Sequence, residues 1–164
     1  MEIREINETD DLKAVGDIYA LSWQTAYQGI LPQIYLDELK GNNWVEMLSK
    51  KKYTSIVILD GDKYVGVSAI GAARDEKMPG WGEIISIYLL PEYYGKGYGG
   101  PLFKYAVDSL ESRGFKNIYL WVVEENIRAQ KFYEKHGFQK NGDTLDFTLA
   151  GKELLDLRYT INLE

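Results

Sequence analysis

Just past the middle of the chain stands the segment Pro91-Glu92-Tyr93-Tyr94-Gly95-Lys96-Gly97-Tyr98-Gly99-Gly100-Pro101. It joins an apolar run, Ile84 to Leu90, to residues whose apolar side chains recur at helical spacing. Glycines allow positive φ and leave room for a ligand beside the main chain, while the first turn of a helix carries unpaired N–H groups and a positive dipole end. The segment therefore predicts a strand, a phosphate-binding turn and a helix, in that order.

Two nucleotide-binding motifs and a ligand-free turn compete with this interpretation of the glycines. Gly95, Gly97 and Gly100 satisfy G-x-G-x-x-G, but a dinucleotide fold has this motif at its first βα turn with further βα repeats downstream. A P-loop needs Ser or Thr after its lysine, and Gly97 follows Lys96 here. A turn without any ligand stays open, although glycines at a helix start lower its stability by about 1 kcal/mol each.

The residues after this segment predict one right-handed crossover. A helix is expected over 101–113, with Pro101 at its first position and Gly114 just past its end. Asn117 to Val123 is a nearly continuous apolar run, which is typical of a strand buried on both faces. This strand is therefore expected to lie parallel to the one that precedes the helix.

The remaining patterns predict a mixed sheet. Asn126 is expected to cap a helix that Gly137 ends, and Thr9 or Asp10 to cap a helix near the N-terminus. Strands are expected over 1–6, 55–59, 64–72, 82–90, 138–149 and 154–162 in addition to 117–123. The fold class is α/β with a mixed (α+β) sheet of about seven strands, mostly antiparallel with a central parallel pair, flanked by four to five helices.

Composition favours one folded domain. The chain has 164 residues, of which 45% are hydrophobic and 13% aromatic, which excludes a disordered protein. No linker or repeat divides residues 1–164, so they are expected to form a single domain. Residues 1–11 are polar and no apolar run is long enough to cross a bilayer, so a soluble, cytoplasmic protein is expected.

Residue counts narrow the chemistry. The chain has no cysteine, which excludes an acyl-cysteine intermediate. It has a single histidine, His136, so no metal site is expected, because carboxylates alone rarely bind zinc. The net charge of −6 argues against nucleic acid or an anionic membrane as a partner and favours a cationic substrate.

At this point two motifs resemble those of the GCN5-related N-acetyltransferase (GNAT) family. Residues 87–99, Ile-Tyr-Leu-Leu-Pro-Glu-Tyr-Tyr-Gly-Lys-Gly-Tyr-Gly, are similar to the family's acetyl-CoA signature of a strand, Pro-Glu-Tyr and an Arg/Gln-x-x-Gly-x-Gly turn. Residues 126–138, Asn-Ile-Arg-Ala-Gln-Lys-Phe-Tyr-Glu-Lys-His-Gly-Phe, are similar to Asn-x-x-Ala-x-x-Phe-Tyr-x-x-x-Gly-Phe. With the element order also matching, the resemblance covers essentially the whole chain.

The resemblance implies acetyl-CoA as co-substrate, with its pantetheine arm between the two central parallel strands. The implied cofactor-binding residues are Ile87, Tyr88, Leu89, Tyr94, Gly95, Lys96, Gly97, Tyr98, Gly99, Gly100 and Asn126. Tyr94 departs from the family's Arg or Gln, and Pro101 removes one amide beyond the turn. Positive charge for the phosphates is then expected from Lys96, Arg128, Lys131 or Lys135, although each of the three lysines is at least as well explained as a solvated surface charge.

The resemblance also implies the reaction, in which an amine attacks the thioester directly. Tyr133 matches the family's general acid, and its ordinary pKa near 10 keeps it protonated at neutral pH. Glu83 stands where many relatives carry a general base, although a glutamate at a strand end is also commonly just exposed. A backbone N–H within 86–88 is expected to polarise the thioester carbonyl. His136 is interpreted as a helix-terminal residue and not as a catalytic one.

The sequence indicates less about the amine acceptor than about the cofactor. Trp23, Tyr27 and Ser86 are predicted to bind the substrate, since aromatic faces hold cations, although core packing explains the rings as well. The expected partner is an amine-bearing small molecule or peptide, and the protein is expected to be a monomer or homodimer. The alternative function is a non-catalytic acyl-CoA-binding sensor or interaction module of the same fold.

Overall fold

The computed structural model describes all residues from Met1 to Glu164. Its elements are β1 (Glu2–Glu5), α1 (Leu12–Ala26), α2 (Gln33–Asp37), α3 (Asn42–Ser49), β2 (Thr54–Asp60), β3 (Lys63–Ala72), β4 (Gly82–Leu89), α4 (Gly99–Ser112), β5 (Asn117–Val123), α5 (Ile127–Lys135), β6 (Gln139–Leu149) and β7 (Lys152–Asn162). A 3₁₀ turn, Pro91–Tyr93, stands between β4 and α4. None of the helices combines the length and the apolar character that a membrane span requires.

All seven strands belong to one sheet, in the order β1-β2-β3-β4-β5-β7-β6. Every neighbouring pair is antiparallel except β4 and β5, which are parallel and joined through α4. Seven strands, five α-helices and one central parallel pair confirm the predicted fold class.

The central parallel pair is hydrogen-bonded only where it begins. Gly82 pairs with Ile118 and Glu83 with Tyr119, and no further residues of β4 and β5 pair. Ile70 of β3 pairs with Ile84 and Ala69 with Ser86, so Ile85 is an extra residue in β4. Such a bulge bends its strand. Because the bulge directly follows the last β4–β5 pair, the two strands diverge into a wedge-shaped gap in the middle of the sheet.

Helices cover both faces of the sheet. Tyr88 of β4 contacts Tyr19 of α1, with 5.3 Å between the ring centroids. The next residue, Leu89, points to the opposite face, as strand alternation requires, and approaches Gly99 at the start of α4. Phe103 of α4 packs against Tyr133 of α5 with centroids 5.7 Å apart. One face therefore carries α1 with the short helices α2 and α3, and the other carries α4 and α5.

Two local predictions were wrong. Asp11, and not Thr9 or Asp10, caps α1, since its carboxylate accepts a hydrogen bond from Ala14 N at 3.1 Å. The helix expected from residue 101 begins at Gly99, which makes Pro101 its third residue. Pro101 is compatible with this position because the first turn of a helix has no carbonyl partner for its N–H groups.

Candidate active site

The gap between β4 and β5 exposes main-chain groups of β4. Leu90 N donates to Val65 O at 2.8 Å, and in an antiparallel pair alternate residues point their N–H and C=O groups toward the partner strand. The backbone N–H and C=O groups of Tyr88 therefore point toward β3, whereas those of Ile87 and Leu89 point into the gap. The carbonyl of Leu89 accepts a hydrogen bond from Ser22 Oγ of α1 at 2.8 Å. The amides of both residues and the carbonyl of Ile87 stay available.

The glycine turn presents a cluster of free amides. Gly95 and Gly97 have φ of +71° and +86°, a conformation that side chains with a Cβ rarely adopt. A Cβ on Gly99 would lie 3.2 Å from the Phe132 ring, a tight contact that favours glycine at this position. The amide of Lys96 donates to Tyr93 O at 3.4 Å. Backbone acceptors are lacking for the amides of Gly95, Gly97, Tyr98, Gly99 and Gly100.

Positive charge accompanies these amides. The charged residues that α5 contributes to the lining of the adjacent cavity are all basic: Arg128, Lys131 and Lys135. The Arg128 guanidinium lies 3.5 Å from the centroid of the Tyr94 ring. Lys96 instead stands over Tyr93, with its Nζ 5.7 Å from that ring. The position that lacks the expected Arg or Gln thus holds an aromatic ring on which an arginine from α5 stacks.

One large cavity, of about 1980 Å³, connects the glycine turn to the face of the sheet that carries α1. Of the predicted site residues, only Lys96 and Tyr98 do not line it. The lining includes Trp23, Tyr27, Glu83, Ser86, Ile87, Tyr88, Leu89, Tyr94, Gly95, Gly97, Gly99, Gly100, Asn126 and Tyr133. Asn126 also caps α5, because its Oδ1 accepts a hydrogen bond from Ala129 N at 3.2 Å.

Tyr133 stands against the wall of this cavity. Its ring packs between Phe103 and Phe132 and is 9% exposed. Burial raises the pKa of its hydroxyl well above the usual value, and no protein group hydrogen-bonds to it. The side chain therefore offers a protonated hydroxyl without a protein partner at neutral pH.

Glu83 is fully buried, which excludes the expectation of a merely exposed strand-end residue. Its Oε2 accepts from Arg74 Nη2 at 2.6 Å. Its Oε1 accepts from the Arg74 amide and Nε, both at 3.1 Å, and from the Tyr119 hydroxyl at 2.9 Å. Burial, together with Glu83, raises the pKa of Tyr119 to about 12. Four hydrogen-bond donors thus occupy the two carboxylate oxygens of Glu83.

Aromatic side chains of α1 close the cavity over the sheet. Trp23 packs on Tyr27 with centroids 4.8 Å apart, and Trp44 of α3 lies 6.1 Å from Trp23. Burial and the nearby charge of Asp156 raise the pKa of Tyr27 to about 12. Ser86 shares a hydrogen bond of 3.2 Å with the Tyr19 hydroxyl. The three predicted substrate residues therefore lie on the α1 side of the gap, away from the glycine turn.

Sequence reasoning missed Arg74, Asp75, Asp156 and Arg158. Arg158 is 4% exposed, lies over the Trp121 ring at 4.2 Å, and pairs with Asp75 at 2.6 Å and Asp143 at 3.1 Å. A signal was present, since Asp156 and Arg158 alternate with the apolar residues Leu155, Leu157 and Tyr159 and so must share one face. The partners on other elements were not visible in that pattern.

This combination of a split parallel pair, a free-amide turn and a continuous cavity defines a site for an anionic ligand beside a second ligand. Residues 13–138 match the family described as the acetyltransferase (GNAT) family. The chain belongs to the GNAT family and is an acyltransferase, so the resemblance inferred from its two motifs is confirmed.

Two relatives extend over nearly the whole chain. A spermidine N(1)-acetyltransferase from Thermoplasma acidophilum is 26% identical over 163 residues, with 93% of this chain and 97% of the relative covered. An uncharacterized N-acetyltransferase from Bacillus subtilis, YuaI, is 26% identical over 150 residues, with 90% and 86% covered.

Solved structures share the fold at lower identity. The PaiA N-acetyltransferase from Thermoplasma acidophilum, in complex with coenzyme A, superposes with a TM-score of 0.74 at 19% identity, covering 99% of each chain. YncA, a putative acetyltransferase from Salmonella typhimurium with its cofactor acetyl-CoA, gives a TM-score of 0.75 at 18% identity, covering 99% of this chain and 94% of its own. At these identities the likeness establishes the architecture alone.

Proposed function

We propose that this protein transfers the acetyl group of acetyl-CoA to a primary amine, with both substrates bound together. The observation that carries the proposal is the set of free amides at Gly95 and from Gly97 to Gly100, at the end of the β4–β5 gap. Amides at a helix N-terminus bind phosphate, and a strand gap accepts an extended amide chain. Coenzyme A carries both chemical features in one molecule.

In this arrangement the diphosphate lies on the glycine turn and the Arg128 guanidinium faces it. The pantetheine arm pairs with the free backbone groups of Ile87 and Leu89 and replaces the ladder bonds that β5 does not supply. The thioester then reaches the bulge in β4, where a backbone N–H within 86–88 polarises its carbonyl. Binding at the turn thereby brings the reactive thioester carbon to the bulge in β4, between the glycine turn and the part of the cavity under α1.

The proposed acid is Tyr133, which gives its proton to the departing CoA thiolate. Its buried hydroxyl has no protein acceptor, so its proton is available to a sulfur that gains negative charge. Glu83 stays a prediction as the general base. Its four hydrogen bonds weigh against that role, since a base must release such donors before it takes a proton.

The proposed acceptor is a cationic primary amine held near Trp23, Tyr27 and Ser86. The spermidine N(1)-acetyltransferase among the relatives supports an amine acceptor and makes polyamines the first compounds to test. Amino sugars, amino acids, peptide N-termini and lysine side chains are the other amine classes. The test is to incubate the protein with acetyl-CoA and this panel and to measure thiol release. Absence of turnover with every class would contradict the proposal.

Replacing Tyr133 tests the proposed acid. Tyr133→Phe is expected to lower kcat by roughly 10²-fold, the usual contribution of general acid catalysis, without changing acetyl-CoA affinity. Tyr105→Phe, on α4 and outside the cavity, is the matched control and is expected to keep full activity. A Tyr133→Phe enzyme with wild-type kcat would remove Tyr133 from the mechanism.

Pro101 motivates the second candidate function, an acyl-CoA sensor without chemistry. Pro101 contributes no amide to the turn, so the phosphate site has one donor fewer than an ordinary helix N-terminus. Tight calorimetric binding of acetyl-CoA, with every amine of the panel unmodified, would favour this alternative.

A further inference from the structure

Asp156 of β7 projects into the same cavity from the side opposite the glycine turn. It pairs with Val123, the last residue of β5, at the end of the strand where the gap is widest. Two residues earlier on the same face, Leu154 packs with the cluster that includes Trp23 and Tyr27. Asp156 therefore lines the region in which the acceptor amine is proposed to bind.

The charged residues of this region leave one carboxylate without a partner. We call the part of the cavity that is lined by β4, β6, β7 and the β3–β4 loop the acceptor half. Its charged lining residues are Arg74, Asp75, Lys77, Glu83, Asp143, Asp156 and Arg158. Arg74 is bound by Glu83, and Arg158 forms ion pairs with Asp75 and Asp143, although its Nε and Nη1 have no hydrogen-bond partner. Asp156 makes no hydrogen bond or ion pair with the protein.

This isolation has an energetic cost that the fold itself does not offset. Burial raises the pKa of Asp156 to about 6, while the more distant charge of Arg74 acts in the opposite direction. The carboxylate also raises the pKa of Tyr27, so the two groups are electrostatically coupled. A partly buried anion without a partner favours a cation that arrives from outside.

We infer that Asp156 is the catalytic residue that binds the acceptor ammonium and takes its proton, and that the preferred acceptors are primary amines without a neighbouring carboxylate. This inference rests on the proposed acetyl transfer. Glu83, whose oxygens are already occupied by Arg74 and Tyr119, then acts as a positioning residue for Arg74. An α-amino acid is disfavoured because its carboxylate would meet the unpaired carboxylate of Asp156.

The proton and electron balance closes with these residues. The ammonium R–NH3+ gives one proton to the Asp156 carboxylate, and the free amine forms a C–N bond with the thioester carbon. Collapse of the tetrahedral intermediate breaks the C–S bond, and the thiolate takes the Tyr133 proton. The nitrogen loses its second proton, which restores the Tyr133 hydroxyl, and Asp156 releases its proton to solvent. The products are the N-acetyl amine, CoA thiol and one proton.

The first test compares Asp156→Asn with Glu153→Gln, an exposed carboxylate on the same strand and outside the cavity. With putrescine or tyramine as acceptor, Asp156→Asn is expected to lower kcat/KM by about 10²-fold or more, the usual range for a general base. Its calorimetric affinity for acetyl-CoA is expected to be unchanged. Its melting temperature is expected to stay level or rise, because an unpaired buried charge is removed. Glu153→Gln is expected to match the wild type.

The second test uses the wild-type protein and so does not depend on the folding of a variant. The kcat/KM values are compared within the pairs tyramine and tyrosine, and phenethylamine and phenylalanine, because the only amine of each amino acid neighbours its carboxylate. The amine without a carboxylate is expected to be favoured by about tenfold or more in each pair, from like-charge repulsion at Asp156. Preference for the carboxylate-bearing member, or a fully active Asp156→Asn enzyme, would overturn the inference. Turnover by the wild type in either case keeps the proposed acetyl transfer, whereas no turnover with any amine refutes both.

Discussion

Arg128 and Tyr94 form a single unit at the mouth of the glycine turn. In the sequence Tyr94 is a departure from the family motif, because it replaces a residue that brings donors to the phosphates. In the fold its ring carries the Arg128 guanidinium, at 3.5 Å, next to the free amides. Planar stacking of this kind orients arginine without consuming its hydrogen-bond donors. We propose that the Arg128 guanidinium, from α5, supplies the phosphate donor that position 94 lacks.

Removal of this guanidinium is expected to weaken coenzyme A binding. Arg128 is exposed, so a charge-assisted phosphate contact is screened, and Arg128→Gln should raise the Kd of CoA by roughly three- to tenfold. The Kd of CoA for Arg128→Lys should fall between the values for the wild type and Arg128→Gln, because lysine keeps the charge but not the stacking. Calorimetry at low and high salt measures both variants, with the exposed Lys116→Gln as control. Equal Kd values for Arg128→Gln and wild type would place the phosphates elsewhere.

At the scale of elements, a partly buried ion pair joins the first strand to the sheet and to the start of the first helix. Arg4 of β1 donates two hydrogen bonds of 2.7 Å to Asp10, and the Tyr64 hydroxyl of β3 donates a third at 2.6 Å. The Asp10 side chain is only 1% exposed. These donors, above all Arg4, hold the pKa of Asp10 well below its ordinary value. Strand β1, strand β3 and the start of α1 therefore meet at one carboxylate.

This carboxylate is expected to make stability depend on pH in the acid range. A depressed folded-state pKa gives stability that is fully present above the ordinary Asp value near 4 and is lost as pH falls toward the folded value. Asp10→Asn should lower the free energy of unfolding by about 2 kcal/mol at neutral pH, and the difference from wild type should shrink below about pH 4.

Urea denaturation at neutral and acid pH measures this difference. Asp108→Asn, which breaks an exposed pair with Lys104 on α4, is the control and should cost less than about 0.5 kcal/mol. A difference between Asp10→Asn and wild type that stays constant down to about pH 3 would show that the charge of Asp10 is not the stabilising feature.

Helix α1 shows why a local pattern predicts the wrong N-cap residue. Asp10 and Asp11 are adjacent and both suit a helix N-cap, so local preference does not separate them. The choice is made by Arg4 and Tyr64, which bind Asp10 and leave Asp11 to cap α1. Tertiary partners of this kind lie outside any local pattern.

At the scale of the whole molecule, the sequence predicted most of the architecture because the relevant signals are local. Asn117 to Val123 was found with its observed bounds, since an apolar run between turn residues needs no tertiary information. Asn126 and Gly137 marked α5 through the chemistry of helix ends, and the structure keeps both roles. The glycine turn was located for the same reason.

Local sequence patterns could not predict the electrostatic pairing inside the cavity. Arg74 lies nine residues from Glu83 in the chain and Tyr119 lies 36 residues from it, and only the fold brings both to its carboxylate. The isolation of Asp156 is visible only after each neighbouring carboxylate has been assigned a partner. Which carboxylate is free to act as a base is therefore a property of the whole sheet.

The most direct measurement of the central claim is backbone amide hydrogen exchange, followed by NMR, with and without saturating coenzyme A. Ligand in the β4–β5 gap and on the glycine turn is expected to slow exchange by about tenfold or more at both places. The amides concerned are those of Ile87, Leu89, Gly95, Gly97, Tyr98, Gly99 and Gly100. Unchanged exchange at these amides, or protection confined to another surface, would contradict the account.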